Sequence, residues 1–137
     1  ADRRIITDDV PKIVAQLRAW IDDRNIDVVI ATGGTGLTGR DSTPEAFAQI
    51  VEKDIPGFGE LFRYLSFAKI GTSTVQSRAQ AGVAGGTYLF ALPGSPSGCR
   101  DGWDDILRYQ LDIRHRPCNF VEIMPRLTES ATVRRTG

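Results

Sequence analysis

Histidine and cysteine are scarce in this chain of 137 residues: His115 stands alone, and Cys99 and Cys118 are the only thiols. One histidine excludes a histidine-rich metal centre and leaves no basis for a Ser-His-Asp triad. Two cysteines in no metal-like spacing exclude a disulfide scaffold and a zinc module, and fit reduced thiols in a cytosolic protein. An excess of charge is missing as well. The 17 basic and 17 acidic side chains cancel, so neither a nucleic-acid nor a membrane-surface footprint is expected. An anionic ligand would have to be held by local geometry rather than by a global field. No apolar run approaches the ~20 residues of a transmembrane helix. What remains is ordinary for a globular domain, with 41% apolar and 25% charged residues, and a length sufficient for one well-filled core.

Apolar runs and helical stripes alternate along the chain. Arg4 to Thr7 reads as a short strand ending at Asp8-Asp9, and Val10-Pro11 opens a helix whose Val10, Ile13, Val14, Leu17 and Ile21 share one face. Asp27 to Ala31 reads as a fully buried strand. A helix follows to about Lys53, with Thr43 as N-cap before Pro44, or with Ser42 and Glu45 as a capping box. Phe58, Leu61, Phe62 and Leu65 stripe another helix, and a short helix is expected through Ser77-Arg78, closed by Gly85-Gly86. Thr87 to Leu92 is a third strand, and a helix runs from about Cys99 to Tyr109. Strands alternating with helices predict an α/β fold of three layers, a mostly parallel sheet flanked by helices. Residues 1–123 form the domain on this reading, and 124–137, rich in Arg, Thr and Ser, a loose C-terminal tail.

The most informative stretch is Thr32-Gly33-Gly34-Thr35-Gly36, which follows a strand directly and precedes Asp41 and a helix start. Bare glycine backbone lets N–H groups approach an anion, and the threonine hydroxyls add donors. A side chain added at Gly34 is expected to obstruct that approach. Ligands in such sheets sit beyond the carboxyl ends of the strands. Three strand ends carry polar residues here: Asp8-Asp9, the 32–36 loop with Asp41, and the 93–98 loop, and they are expected to converge on one site. Asp8 or Asp9 also serves as a helix cap on the local reading. Arg78 is either a partner in a surface ion pair or a phosphate clamp.

Six motifs occur in order: the 32–36 loop with Asp41, Thr43-Pro44-Glu45-Ala46, Pro56-Gly57-Phe58-Gly59-Glu60, Thr72-Ser73-Thr74 with Ser77-Arg78, Pro93-Gly94-Ser95, and Arg116-Pro117-Cys118-Asn119-Phe120. Together they resemble the molybdenum cofactor biosynthesis family of molybdopterin-binding domains, the MoaB/MogA type and its MoaB branch in particular, over roughly residues 5–120. The resemblance implies a cytoplasmic homo-trimer or homo-hexamer that binds molybdopterin. In active members, AMP passes from ATP, with Mg²⁺, onto the terminal phosphate of the pterin. A non-catalytic molybdopterin-binding or carrier protein is the alternative. It implies catalytic, Mg²⁺-holding roles for Asp41 and Asp8, and phosphate or nucleotide binding by Thr32, Gly33, Gly34, Thr35 and Gly36. Molybdopterin binding is implied for Ser77, Arg78, Pro93, Gly94 and Ser95. Family members begin with an extra strand and an Asp-x-Ser-Gly loop that have no counterpart before Ala1, so the first βα unit is expected to be missing from this chain.

Overall fold

The computed structural model describes residues 2–129. Its α-helices are α1 (Val10–Asp22), α2 (Thr43–Ala48), α3 (Pro56–Ile70), α4 (Pro96–Gly102), α5 (Arg108–Gln110) and α6 (Phe120–Ile123). The strands are β1 (Val28–Thr32), β2 (Lys53–Asp54), β3 (Gln80–Ala84) and β4 (Thr87–Leu92), ordered β1-β4-β3-β2 in one sheet. No helix among these residues is long and apolar enough to cross a membrane.

The α/β reading holds, and the sheet is mixed. β1 pairs with β4 in parallel, whereas β3 pairs with β4, and β2 with β3, in antiparallel fashion. The antiparallel half comes from a hairpin that the helical reading of residues 77–86 missed. Gly85 and Gly86 both have positive φ, 57° and 83°, the conformation a two-residue hairpin turn demands and L side chains resist. The strand on its N-terminal side, Gln-Ala-Gly-Val-Ala, has a short apolar run and little β-branching, which is why it does not announce itself.

β4 is buried along its whole length because it is bonded on both edges and covered on both faces. Its side chains alternate accordingly. Tyr88, Phe90 and Leu92 join Phe58, Phe62, Ile106 and Leu107 on one face. Leu89 and Ala91 join Leu17, Val29, Phe47 and Ile50 on the other. The first cluster is aromatic, with Phe90 5.3 Å from Phe58 and 5.7 Å from Phe120 between ring centroids. The Tyr88 hydroxyl donates to the Phe120 carbonyl at 2.7 Å, which ties α6 to the sheet.

Several expectations are corrected. Arg4 to Thr7 forms no strand. A cavity of about 370 Å³ lies between Arg4, Ile6 and Asp8 on one side and Val29 to Gly33 on the other, too wide for ladder bonds, and Ile5 is 93% exposed. β1 is therefore not fully buried: only its β4 edge is paired, and Ile30 is 40% exposed. α2 stops at Ala48, after which Glu52 N–H donates to Val83 O and the chain enters the sheet. The last long helix begins earlier than expected, at Pro96, where Ser95 Oγ accepts from Gly98 N–H at 3.2 Å as its N-cap. It continues through a π-helical turn, Trp103–Leu107, into α5. Met124 and Leu127, within the stretch read as a tail, pack against the first core cluster. Residues 130–137 of that tail lie outside the described residues.

Candidate functional site

The carboxyl ends of β1 and β4 lie side by side, and Gly33 N–H continues the ladder by donating to Leu92 O at 2.9 Å. The two loops that leave these strands therefore start in contact. A Cβ built on Gly94 would stand 3.3 Å from the Cα of Gly33. Above them opens a cavity of about 520 Å³, a size usual for small-molecule sites. Gly33, Gly34, Thr35, Gly36 and Asp41 line one wall, and Pro93, Gly94, Ser95 and Ser97 another. Ser77, Thr74 and Gln76 close it from the 3₁₀ segment Gly71–Gln76 and its exit, and Phe62, Ser66, Lys69 and Ile70 come from α3.

How the 33–36 loop is held is the central feature. All four of its carbonyls accept hydrogen bonds from two residues outside the cavity lining. Gly33 O accepts from Thr43 Oγ1 at 2.9 Å and Gly34 O from Thr43 N at 3.1 Å. Thr35 O accepts from Arg78 N at 2.9 Å and Gly36 O from Arg78 Nε at 2.8 Å. In a trans peptide the C=O of one residue and the N–H of the next point in opposite directions. Carbonyls fastened toward Thr43 and Arg78 thus turn the N–H groups of residues 34 to 37 the other way, that of Gly36 toward the Asp41 carboxylate. Successive N–H groups aimed to one side make an anion-binding concavity.

Asp41 sits at the rim of this loop. Its Oδ2 accepts from Thr38 N at 2.9 Å and Thr38 Oγ1 at 2.8 Å, and neither bond uses Oδ1. The two Thr38 bonds, chiefly the hydroxyl one, hold the carboxyl below the usual aspartate range, so it is a carboxylate at neutral pH. Among the described residues no three His, Cys, Asp or Glu side chains cluster as a metal cage. A hard cation such as Mg²⁺ fits here only in the manner it commonly adopts, on one carboxylate, Asp41, with ligand phosphate oxygens and water completing its shell.

Of the sequence-predicted site residues, Gly33, Gly34, Thr35, Gly36, Asp41, Ser77, Pro93, Gly94 and Ser95 are brought to the one cavity. Asp8 and Thr32 are not. They line the neighbouring 370 Å³ cavity on the far side of the loop, so the first of the three polar segments does not converge with the other two. Arg78 stands behind the loop, paired with Glu45. Sequence reasoning missed Lys69 and Asp101, which line the cavity as an ion pair 2.5 Å apart. Nothing local marks either residue, because the contact joins α3 to α4 and exists only once both helices dock. Thr43, read as a possible cap, instead latches the loop; the N-cap position falls to Ser42, which makes no capping bond.

Comparison with known proteins shows what the chain as a whole is similar to. The family described as Probable molybdopterin binding domain matches residues 1–113. Molybdenum cofactor biosynthesis protein B of Escherichia coli K12 is 52% identical over 119 residues, which is 87% of this chain and 70% of that protein. The protein of the same name from Staphylococcus epidermidis is 43% identical over 110 residues, 79% of this chain and 62% of the relative, so this chain spans less than two thirds of that length. A crystal structure of molybdenum cofactor biosynthesis protein B superposes with a TM-score of 0.72 at 35% identity, over 90% of this chain and 68% of that one. The tungsten cofactor synthesizing protein MoaB from Pyrococcus furiosus gives 0.70 at 37% identity, over 77% and 67%.

Proposed function

Because the chain belongs to the molybdopterin-binding domain family, we propose that it binds molybdopterin and transfers AMP from ATP to the pterin's terminal phosphate. The observation that carries this reading is the loop whose four carbonyls are tied to Thr43 and Arg78, leaving a row of N–H groups for phosphate. In this reaction an oxygen of the pterin phosphate attacks the α-phosphorus of ATP. A new P–O bond forms, the bond to the bridging β-phosphate oxygen breaks, and pyrophosphate leaves. The attacking oxygen is already ionised, so no strong base is required, which suits a cavity without histidine. The 33–36 loop grips phosphate, Ser77 and the Pro93-Gly94-Ser95 loop seat the pterin, and Lys69 is the cationic side chain at the cavity wall. Asp41 would hold Mg²⁺, which when bound neutralises charge developing on the phosphates.

The test is pyrophosphate release from ATP in the presence of molybdopterin and Mg²⁺. Release that requires molybdopterin supports the transferase. Tight molybdopterin binding without release supports the second reading, a non-catalytic binding or carrier protein. The position of Asp8 favours that second reading, since one of the two expected acids faces the neighbouring cavity.

A further inference from the structure

The four carbonyl bonds of the loop come from two residues of different character. Thr43 is buried and begins α2. Arg78 is partly exposed, and its long side chain could rotate away, yet its guanidinium faces protein acceptors throughout. Nε donates to Gly36 O, Nη2 to Asp41 O at 3.2 Å, and Nη1 and Nη2 to the two carboxylate oxygens of Glu45, the second at 3.3 Å. The same residue's backbone N–H holds Thr35 O. One arginine thus joins the loop, the residue bearing the candidate catalytic carboxylate, and the first turn of α2. Glu45 closes the fork and pins its orientation. Neither residue lines the cavity.

We propose that Glu45 and Arg78 form a positioning pair that sets the phosphate seat from behind without touching the ligand. The inference rests on the anion-binding part of the proposed function and not on adenylyl transfer. By holding Thr35 O and Gly36 O, Arg78 orients the N–H groups of Gly36 and Leu37; by holding Asp41 O, it places the backbone from which that carboxylate projects. An ordinary exposed ion pair is worth ~0–1 kcal/mol of stability and nothing to a ligand. A positioning pair changes affinity at nearly constant stability.

The experiment uses the full chain and inorganic pyrophosphate as probe, with affinity from calorimetry and stability from thermal unfolding. In Arg78→Lys the ammonium keeps its attraction to Glu45 but cannot span two carbonyls and a carboxylate as the planar fork does. The expected result is a tenfold or greater loss of affinity, about 1.4 kcal/mol, with a near-native unfolding midpoint. Glu45→Gln, at a half-exposed site, is expected to lose a few-fold and serves if the lysine variant folds poorly. The charge swap Glu45→Arg with Arg78→Glu restores an ion pair but places an acceptor where Gly36 O needs a donor. Its stability is expected to recover relative to Arg78→Glu alone while its affinity does not. Wild-type affinity in Arg78→Lys, or recovery of affinity in the swap, overturns the positioning role. If the unmodified chain fails to bind pyrophosphate, the phosphate seat itself is overturned, and the positioning role with it. Absence of turnover by the unmodified chain, with pyrophosphate binding intact, would count against adenylyl transfer alone.

Discussion

Replacing Gly34 by alanine tests the loop more sharply than removing any side chain. Gly34 has φ +69°, where a Cβ costs ~1–2 kcal/mol. The added Cβ would stand 2.5 Å from Thr43 Oγ1, closer than real contacts allow. A side chain at this position therefore collides with the latch on Thr43 rather than obstructing the anion directly, which corrects the reason expected from the sequence. Moving Oγ1 breaks its 2.9 Å bond to Gly33 O, a further ~1 kcal/mol. The sum, about 2–3 kcal/mol, leaves a domain of ordinary stability folded but lowers its unfolding midpoint by roughly 10 °C. Pyrophosphate affinity is expected to fall about tenfold, because the peptide after Gly33 loses its anchor. The informative measurement is a double-mutant cycle by denaturant unfolding. In a Thr43→Ala background the hydroxyl is gone, so Gly34→Ala should retain only its backbone term, and the two substitutions should couple by ~1 kcal/mol. Gly39→Ala, with nothing within 4 Å of its added Cβ, is the control and should lie within ~0.5 kcal/mol of the parent. Additivity of Gly34→Ala and Thr43→Ala, or an unchanged midpoint for Gly34→Ala, would refute the latch.

Asp41→Asn is expected to abolish adenylyl transfer while molybdopterin binding stays within about tenfold, since the amide oxygen can still accept from Thr38; normal pyrophosphate release by this variant would remove Asp41 from the catalytic role. Glu45 is held below its ordinary titration range, first by the hydrogen bonds from Arg78 and then by that residue's charge, so its stabilising effect is complete above the unfolded-state value of about pH 4.3 and is lost as pH falls through the lower folded-state value. The stability gap between the unmodified chain and Glu45→Gln should accordingly be flat at neutral pH and shrink only in acid; a gap that changes between pH 6 and 8 (about neutral) would show another group at work. α3 turns Leu61, Tyr64 and Phe67 outward, with Phe67 57% exposed, a larger apolar face than a single subunit usually leaves bare. Sedimentation equilibrium is expected to show a trimer or hexamer, and a clean monomer at micromolar concentration would refute the reading of this face as a subunit contact.

The parts of this fold that were legible in the sequence are those with strong local grammar. α1 follows its i, i+3, i+4 stripe, and β1 and β4 are dense apolar runs entering glycine loops. Phe58 and Phe62, two members of the stripe that marks α3 in the sequence, belong to the core, because α3 docks on the sheet with their side. β3 stayed hidden because alanine and glycine carry almost no strand signal, and the Gly85-Gly86 pair, read as the end of a helix, is the turn of its hairpin. β2 is two residues long and exists through its ladder to β3 alone. At the site, the loop glycines and Asp41 were visible as a motif, but the partners that shape them were not. The contact of Thr43 spans 10 residues and that of Arg78 with Gly36 spans 42, and periodicity carries no information at that distance.

β4 is bonded to β1 on one edge and β3 on the other along its length, and its last carbonyl, on Leu92, receives the first N–H of the phosphate loop. In terms of native-state hydrogen exchange, a strand so enclosed opens only when the whole domain opens. The amide of Gly33 therefore inherits the protection of the core although it borders a cavity, while Arg78 and Glu45, on the outer side of the loop, can fray at much lower free energy. The domain is a slow-exchanging platform carrying a site whose near edge is as durable as the sheet and whose far edge can be retuned by small local openings.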